Sequence, residues 1–127
     1  MFELEIDKAH EVAVIRYFEQ LDDDELMKSI TGLVESADFE PHFCVVTDCR
    51  KADNQLSVSV VRDLAENVCQ TGTLKGKWGS IATTTRSTAI AMIFSQSVAG
   101  QLEHRVFSSV EGISEWMQKD LTRFFHE

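Results

Sequence analysis

Apolar and polar residues alternate at the start of the chain and then change to helical spacing. Phe2 to Asp7 alternates apolar with acidic side chains, and Val12 to Phe18 alternates less cleanly. With the polar residues between them, these segments predict a hairpin of two antiparallel strands. Asp22 to Asp24 can cap a helix, and apolar residues then recur at helical spacing as far as Ala37. The chain is therefore predicted to open with two strands and an amphipathic helix.

The rest of the chain alternates a short apolar strand with a helix. Further strands are predicted at Phe43 to Thr47, Trp78 to Thr84 and Arg105 to Phe107. The helices after them are predicted to begin at Ser57, at Ser87 or Thr88, and at the capping-box sequence Ser108-Ser109-Val110-Glu111. The resulting order is ββαβαβαβα. This alternation implies right-handed crossovers and a mainly parallel sheet of the α/β class, to which the opening hairpin adds an antiparallel strand.

The composition is that of one globular domain spanning residues 1–127. The chain is 43% hydrophobic and 26% charged, which is ordinary for a folded protein of this length. Apolar stretches such as Ala89 to Phe94 fall well short of the roughly 20 residues of a membrane-spanning helix, and no secretory signal is visible. An odd number of cysteines, Cys44, Cys49 and Cys69, argues against a disulfide framework. We therefore predict a cytoplasmic protein without membrane insertion.

The charge is strongly asymmetric along the chain. The net charge is −9, which argues against nucleic-acid binding because phosphate backbones repel acidic surfaces. Residues 1–49 hold 13 Asp or Glu against 3 Lys or Arg, whereas residues 50–127 hold 8 against 9. The acidic half is interpreted as a solvated face, and the alternative is a docking face for a basic partner.

Three arrangements that could indicate an enzyme are rejected. Cys44 and Arg50 have the C-x5-R spacing of cysteine phosphatases, but the β-branched residues Val45 to Thr47 predict a strand instead of a glycine-permissive phosphate loop. The histidines lack metal-site spacings, and nucleotide-binding motifs are missing. These histidines are His10, His42, His104 and His126. We predict no catalytic residue, no metal and no cofactor.

One group of residues is predicted to form a binding site at the strand-end edge of the sheet, because parallel strands and the helices that follow them open onto the same edge. The group comprises Asp48, Arg50, Lys51, Ser57, Thr84, Thr85 and Arg86. Helix N-termini close to Arg and Lys favour an anion, so we predict a small phosphate- or carboxylate-bearing ligand. The structural alternative is that Arg50 pairs with Asp48 or Asp53 and that Arg86 is solvated.

The element order can now be compared with known families, together with three segments. They are Leu21-Asp22-Asp23-Asp24-Glu25-Leu26, Val45-Val46-Thr47-Asp48-Cys49-Arg50 and Val106-Phe107-Ser108-Ser109-Val110-Glu111. Over nearly its whole length the chain resembles a SpoIIAA-like protein of the STAS/SEC14 type. The resemblance implies a single mixed sheet of four or five strands with its helices largely on one side. It also implies a small bacterial cytoplasmic protein of a group whose functions are mostly unassigned.

The resemblance also implies a candidate for phosphorylation. The better-studied STAS relatives are anti-anti-sigma factors, which bind a partner kinase and are switched by phosphorylation of a serine at the start of the helix after the third strand. Ser57 is the matching position here, with Ser59 next to it. The Asp-Ser-Ser-Gly signature of those factors is replaced by Asp53-Asn54-Gln55-Leu56. The structural alternative is that Ser57 is only a helix cap.

The leading hypothesis is a non-catalytic binding or regulatory module that recognises a protein partner or a small anionic ligand. The alternative, suggested by the SEC14 part of the family name, is a small carrier of a lipid or apolar metabolite. Its cavity would be lined by the third helix at Ala89 to Phe94 and by Trp116, Phe124 and Phe125, although an apolar stripe at helical spacing is normally core. The Phe124-Phe125 pair can also pack across a homodimer interface or fold back on its own domain.

Overall fold

The computed structural model describes residues 1–125, and in this range the predicted order ββαβαβαβα is confirmed. The elements are β1 Phe2–Asp7, β2 Val12–Leu21, α1 Asp23–Glu35, β3 Cys44–Asn54, α2 Val58–Thr71, β4 Trp78–Ile81, α3 Thr85–Val98, β5 His104–Phe107 and α4 Val110–Met117, followed by a short 3₁₀ helix at Thr122–Phe124. His126, one of the four histidines considered above, lies outside the described residues.

The five strands form one sheet in the order β1-β2-β3-β4-β5. β1 pairs antiparallel with β2, and each later pair is parallel. Each crossover therefore moves one strand further in the same direction, and right-handed crossovers of that kind put their helices on the same side. Residues of α1, α2 and α3 pack together on one side, here called the three-helix face, and α4 packs on the other, here called the α4 face. The predicted mixed, mainly parallel sheet with its helices largely on one side is confirmed.

The buried side chains of the central strands alternate between these two faces. In β2, Ala13 and Ile15 contribute to the core of the three-helix face, whereas Val12 and Val14 contribute to the core of the α4 face. All four are fully buried, as is expected of strands that are covered on both sides. On the α4 face, α4 approaches β4 so closely that a Cβ built on Gly79 would lie 2.2 Å from Ile113 Cδ1.

Several element bounds differ from the predictions. β3 was predicted to end at Thr47 but continues to Asn54, because its second half pairs with the second half of β2. α3 begins at Thr85, several residues earlier than predicted, because the Thr84 hydroxyl accepts a hydrogen bond from the Ser87 backbone N–H at 3.1 Å. β4 accordingly ends at Ile81 instead of Thr84.

The caps of the other helices are mostly local features and were easier to predict. Ser57 caps α2 as predicted, and Gly72 ends that helix in the left-handed conformation. The first helix ends slightly early, at Glu35. The last helix is capped by Ser109, whose hydroxyl accepts from the Gly112 N–H at 3.1 Å, so the capping box predicted from Ser108 is wrong by one position.

Candidate functional site

Four helices begin at the same edge of the sheet, where the parallel strands end. Each N-cap has a short polar side chain that accepts a hydrogen bond from its own first turn, which satisfies donors that the helix leaves unpaired. These caps are Asp22, Ser57, Thr84 and Ser109. The strand-end edge is therefore formed, but the candidate residues are divided between it and the α4 face.

Asp48, Arg50 and Lys51 lie inside β3 instead of after it. A bulge lies between them, since Asp48 pairs with Arg16 and Lys51 pairs with Phe18, which leaves one extra residue in β3. Arg50 and Lys51 consequently line the same cleft on the α4 face, together with Asp48. These three candidates are close together, but on the surface of the sheet and not at its edge.

Asp48 orients Arg50. Its Oδ1 accepts hydrogen bonds from the Arg50 backbone N–H at 3.0 Å and from Nε at 2.9 Å, and its Oδ2 accepts from a terminal guanidinium nitrogen at 2.9 Å. The carboxylate is almost fully buried, so this two-point contact fixes the plane of the guanidinium. The pairing of Arg50 with Asp48, which the sequence offered as a structural alternative, is present.

Ser57, Thr85 and Arg86 lie elsewhere, at the strand-end edge beside the loop from β3 to α2. The Arg86 side chain is exposed, yet it donates from Nε to the Asn54 carbonyl at 2.8 Å and from a terminal nitrogen to the Leu56 carbonyl at 2.6 Å. Arg86 therefore holds the loop in place instead of being only solvated. Thr85 is exposed in the first turn of α3.

The Ser57 hydroxyl joins α2 to α1. It donates to Asp23 Oδ2 at 2.8 Å while accepting from the Val60 N–H at 3.2 Å, and the Ser57 N–H donates to Asp23 Oδ1 at 2.8 Å. A phosphoryl group on Ser57 would face that carboxylate and be repelled by it. Ser59 is exposed on the first turn of α2, with its hydroxyl 3.3 Å from that of Ser57. Phosphorylation of either serine stays a prediction.

The cleft on the α4 face has a volume of about 400 Å³ and is here called the arginine cleft. The charged residues that line it are Glu3, Glu5, Arg16, Asp48, Arg50, Lys51 and Arg123, and the aromatic ones include Phe124 and Phe125. Among the described residues, four cations thus meet three carboxylates of the cleft, and Arg123 also pairs with Asp7. The cleft gathers four of the 12 Lys and Arg residues of an acidic chain.

Arg16 and Arg123 were not singled out from the sequence, and both are fixed by long-range contacts. Arg16 donates to Glu5 Oε1 at 2.9 Å and to the Phe124 carbonyl at 2.8 Å. Arg123 donates to Asp7 Oδ2 at 2.8 Å. Partial desolvation raises the pKa of Asp7, but its hydrogen bonds outweigh this and lower the pKa below its ordinary value overall.

Aromatic rings pack beside these guanidinium groups. The Arg50 guanidinium carbon lies 5.6 Å from the centre of the Phe125 ring, and that of Arg123 lies 4.5 Å from the centre of the Phe124 ring. Such cation–π contacts restrict the side chains further. Phe124 is buried and Phe125 half-buried, so the pair folds back on its own domain.

A chain of hydrogen-bonded side chains crosses the interior of the three-helix face. Trp78 Nε1 donates to Thr47 Oγ1 at 3.1 Å, the Thr47 and Ser80 hydroxyls lie 2.7 Å apart, and Ser80 Oγ lies 2.8 Å from His104 Nε2. The other imidazole nitrogen, Nδ1, lies 2.5 Å from Ser95 Oγ. The indole can only donate, so Thr47 Oγ1 accepts from it, and the direction of the remaining hydrogen bonds depends on which imidazole nitrogen carries the proton.

The histidine in this row of hydrogen-bonded side chains is kept neutral by its burial. Burial lowers the pKa of His104 from 6.5 to about 4. The sequence showed only that His104 and the other histidines lack metal-site spacings, and it gave His104 no role. The available signal was the polar residues Thr47 and Ser80 within apolar strands, since a buried hydroxyl needs a partner.

Cys44 and Cys49 are unsuited to nucleophilic chemistry. Burial raises the pKa of the Cys49 thiol to about 12 and also raises that of Cys44. Reactive cysteines have lowered pKa values, because the thiolate is the nucleophile. Cys44 begins β3, and Arg50 is paired with Asp48, so the C-x5-R spacing does not form a phosphate loop.

Residues 1–125 contain no group of three or more His, Cys, Asp or Glu side chains placed to hold a metal ion. Within the same range, no helix is long and apolar enough to cross a membrane.

The sequence matches no family model and no curated protein. A crystal structure matches the fold with a TM-score of 0.58 and 11% identity, over 92% of each chain. That structure is described as an uncharacterised protein of the DUF3478 family with a SpoIIAA-like fold, from Shewanella loihica PV-4. The chain has a SpoIIAA-like fold. The resemblance inferred from the sequence is confirmed at the level of the fold.

Proposed function

We propose that this protein is a non-catalytic binding module that takes a small anionic ligand into the arginine cleft. The observation that carries the proposal is the group of four cations around one cleft of about 400 Å³, a volume within the roughly 300–1,000 Å³ of small-molecule sites. The proposal keeps the anion predicted from the sequence but moves its site from the edge of the sheet to the α4 face.

The fixed orientation of the arginines supports anion binding. Arg16 and Arg123 are each held by a carboxylate, so their guanidinium groups are ordered before any ligand arrives. Preorganised groups lose less conformational entropy on binding, and guanidinium groups suit phosphate and carboxylate oxygens. The neighbouring carboxylates limit the attraction, and we therefore expect selectivity for ligands with more than one anionic group.

The carrier hypothesis is less well supported. The helices predicted to line its cavity lie on opposite faces of the sheet, since Phe94 packs on the three-helix face and Phe124 on the α4 face. The pocket on the three-helix face has a volume of about 60 Å³, far less than a lipid requires. A protein partner and a cytoplasmic location stay predictions.

The test is titration calorimetry and NMR with inorganic phosphate, sulfate and citrate on the whole chain. We expect citrate, which carries three carboxylates, to bind most tightly, and added salt to weaken binding because exposed charges are screened within about 10 Å at 0.1 M. Shifted amide signals should include those of Lys51 and Arg123.

Two variants and one matched control locate the binding. Arg123→Gln and Lys51→Gln should each weaken citrate binding about tenfold, because each removes a charge-assisted hydrogen bond. Arg62→Gln removes an exposed cation from α2, away from the cleft, and should change little. The proposal fails if none of the three anions binds, or if all three variants lose affinity equally.

A further inference from the structure

The outer side of β5 carries backbone groups that can accept another strand. β5 is the last strand of the sheet formed by the described residues. The carbonyls of Glu103 and Phe107 accept hydrogen bonds from the backbone of Trp78 and Ala82, both at 2.9 Å, and so point towards β4. Because alternate residues of a strand point to opposite sides, the N–H and C=O groups of His104 and Val106 point away from the sheet.

Apolar side chains flank this edge on both faces of the sheet. On the three-helix face, Val106 and Met92 line a groove beside β5, and Met92 is 51% exposed. On the α4 face, the rings of Phe107 and Trp116 lie 5.3 Å apart. Natural proteins often protect an edge strand with charged residues, and this edge carries Glu103 and Arg105, but it also has an apolar border on each face. Such a border is typical of a surface that another chain covers.

The charges of the edge are self-complementary. Glu103 and Arg105 are both exposed and are two residues apart, so they project to the same side of the strand. A two-fold axis at His104 would put Glu103 of each copy opposite Arg105 of the other. An axis at Arg105 would instead bring two like charges together. Side chains directly opposite each other in antiparallel strands interact most strongly, so charge selects the first register.

We propose that two copies of this chain associate through antiparallel pairing of their β5 strands about a two-fold axis at His104, which forms one continuous sheet. A second copy is the occupant that fits best, because the same strand supplies both members of the charge pair, as a two-fold interface requires. Met92 on one face and Phe107 with Trp116 on the other extend the contact beyond the backbone. This proposal does not depend on the ligand of the arginine cleft.

The experiment is sedimentation equilibrium of the whole chain over a range of concentrations, with charge-swap variants. Arg105→Glu and Glu103→Arg should each weaken dimerisation about tenfold or more. Each substitution makes residues 103 and 105 alike in charge, and the two-fold axis brings them opposite each other at two places in the interface. The double variant, with both substitutions, should restore dimerisation to near its original strength. Arg62→Glu makes the same change of charge on α2 and should leave the dimer intact.

Three results would overturn the proposal. The first is a monomer at every concentration, the second is a dimer that both single substitutions leave unchanged, and the third is a double variant that stays as weak as the single ones. Circular dichroism of each variant separates loss of pairing from loss of fold, and rescue by the double variant cannot result from unfolding.

Discussion

The two faces of the sheet differ in where their polar side chains lie, which is inside the core on one face and around an open cleft on the other. On the three-helix face, Thr47, Ser80 and His104 are buried and are bonded to one another within the core. On the α4 face, Arg16 and Arg123 are bonded to carboxylates around an open cleft. Two adjacent residues of β3 lie in these two environments: Thr47 belongs to the buried row of hydrogen bonds, and Asp48 lines the arginine cleft. We therefore propose that the α4 face binds the ligand, and we expect the three-helix face, which has the larger buried cluster, to provide most of the stability.

Shortening a buried leucine on each face tests this division most strongly. Leu33 and Leu121 are both fully buried, on the three-helix and α4 faces respectively. Leu33→Ala should lower the free energy of unfolding by about 4 kcal/mol. Leu121→Ala should cost about 2 kcal/mol, because it lies in the smaller of the two core clusters. Urea denaturation measures both, and equal losses would contradict the division.

The pH dependence of stability should reveal the buried histidine. The pKa of His104 is about 4 in the folded state and its ordinary value is 6.5, so the unfolded chain takes up the proton first as the pH falls. The contribution of neutral His104 to the free energy of unfolding should therefore be fully present above pH 6.5. It should decline as the pH falls towards 4 and below, by roughly 3 kcal/mol in total. His104→Gln should lose this part of the pH dependence. The measurement is the slope of the free energy of unfolding against pH for the original protein and for His104→Gln. Identical slopes would show that His104 does not cause the pH dependence.

The same substitution at two glycines should have opposite effects. In Gly79→Ala, the new methyl group would meet Ile113, which should cost about 2 kcal/mol and loosen α4. In Gly32→Ala, on the exposed side of α1, the methyl group meets no other atom within 4 Å, so the better helix propensity of alanine should stabilise the protein by up to about 1 kcal/mol. Thermal melts measure both changes. Destabilisation by Gly32→Ala would show that the helix surface is less open than described.

Removing the Ser57 hydroxyl should have the smallest of these effects. Ser57→Ala loses both the cap of α2 and the hydrogen bond to Asp23, and should cost about 1 kcal/mol. Ser59→Ala, two residues away and exposed, is the control and should change the stability by less than about 0.5 kcal/mol. Equal effects in chemical denaturation would mean that the contact with Asp23 contributes nothing.

Several features set by neighbouring residues could be predicted from the sequence, although the caps at Thr84 and Ser109 were misplaced, and features set by distant residues could not. The cap at Ser57, the end of α2 at Gly72 and the pairing of Arg50 with Asp48 depend on residues a few positions apart. The second half of β3 was missed because its polar residues form a strand only by pairing with β2, some 30 residues earlier. Local sequence carries no trace of such a partner.

The arginine cleft was missed for the same reason. Arg16 bonds to Glu5 and to the carbonyl of Phe124, which is 108 residues further along the chain. Arg123 bonds to Asp7, 116 residues before it. The two ends of the sequence thus meet on the α4 face, and no spacing rule applied to either end alone would indicate this.

The order of the strands in the sheet has a consequence for how the protein is made. Because strand order equals chain order, each strand after β1 has a partner that is already synthesised when it leaves the ribosome. None of these later strands has to insert between two earlier ones, so the sheet can grow one strand at a time during translation. The arginine cleft is the exception, since it is complete only when Arg123 and Phe124 bond to β1 and β2.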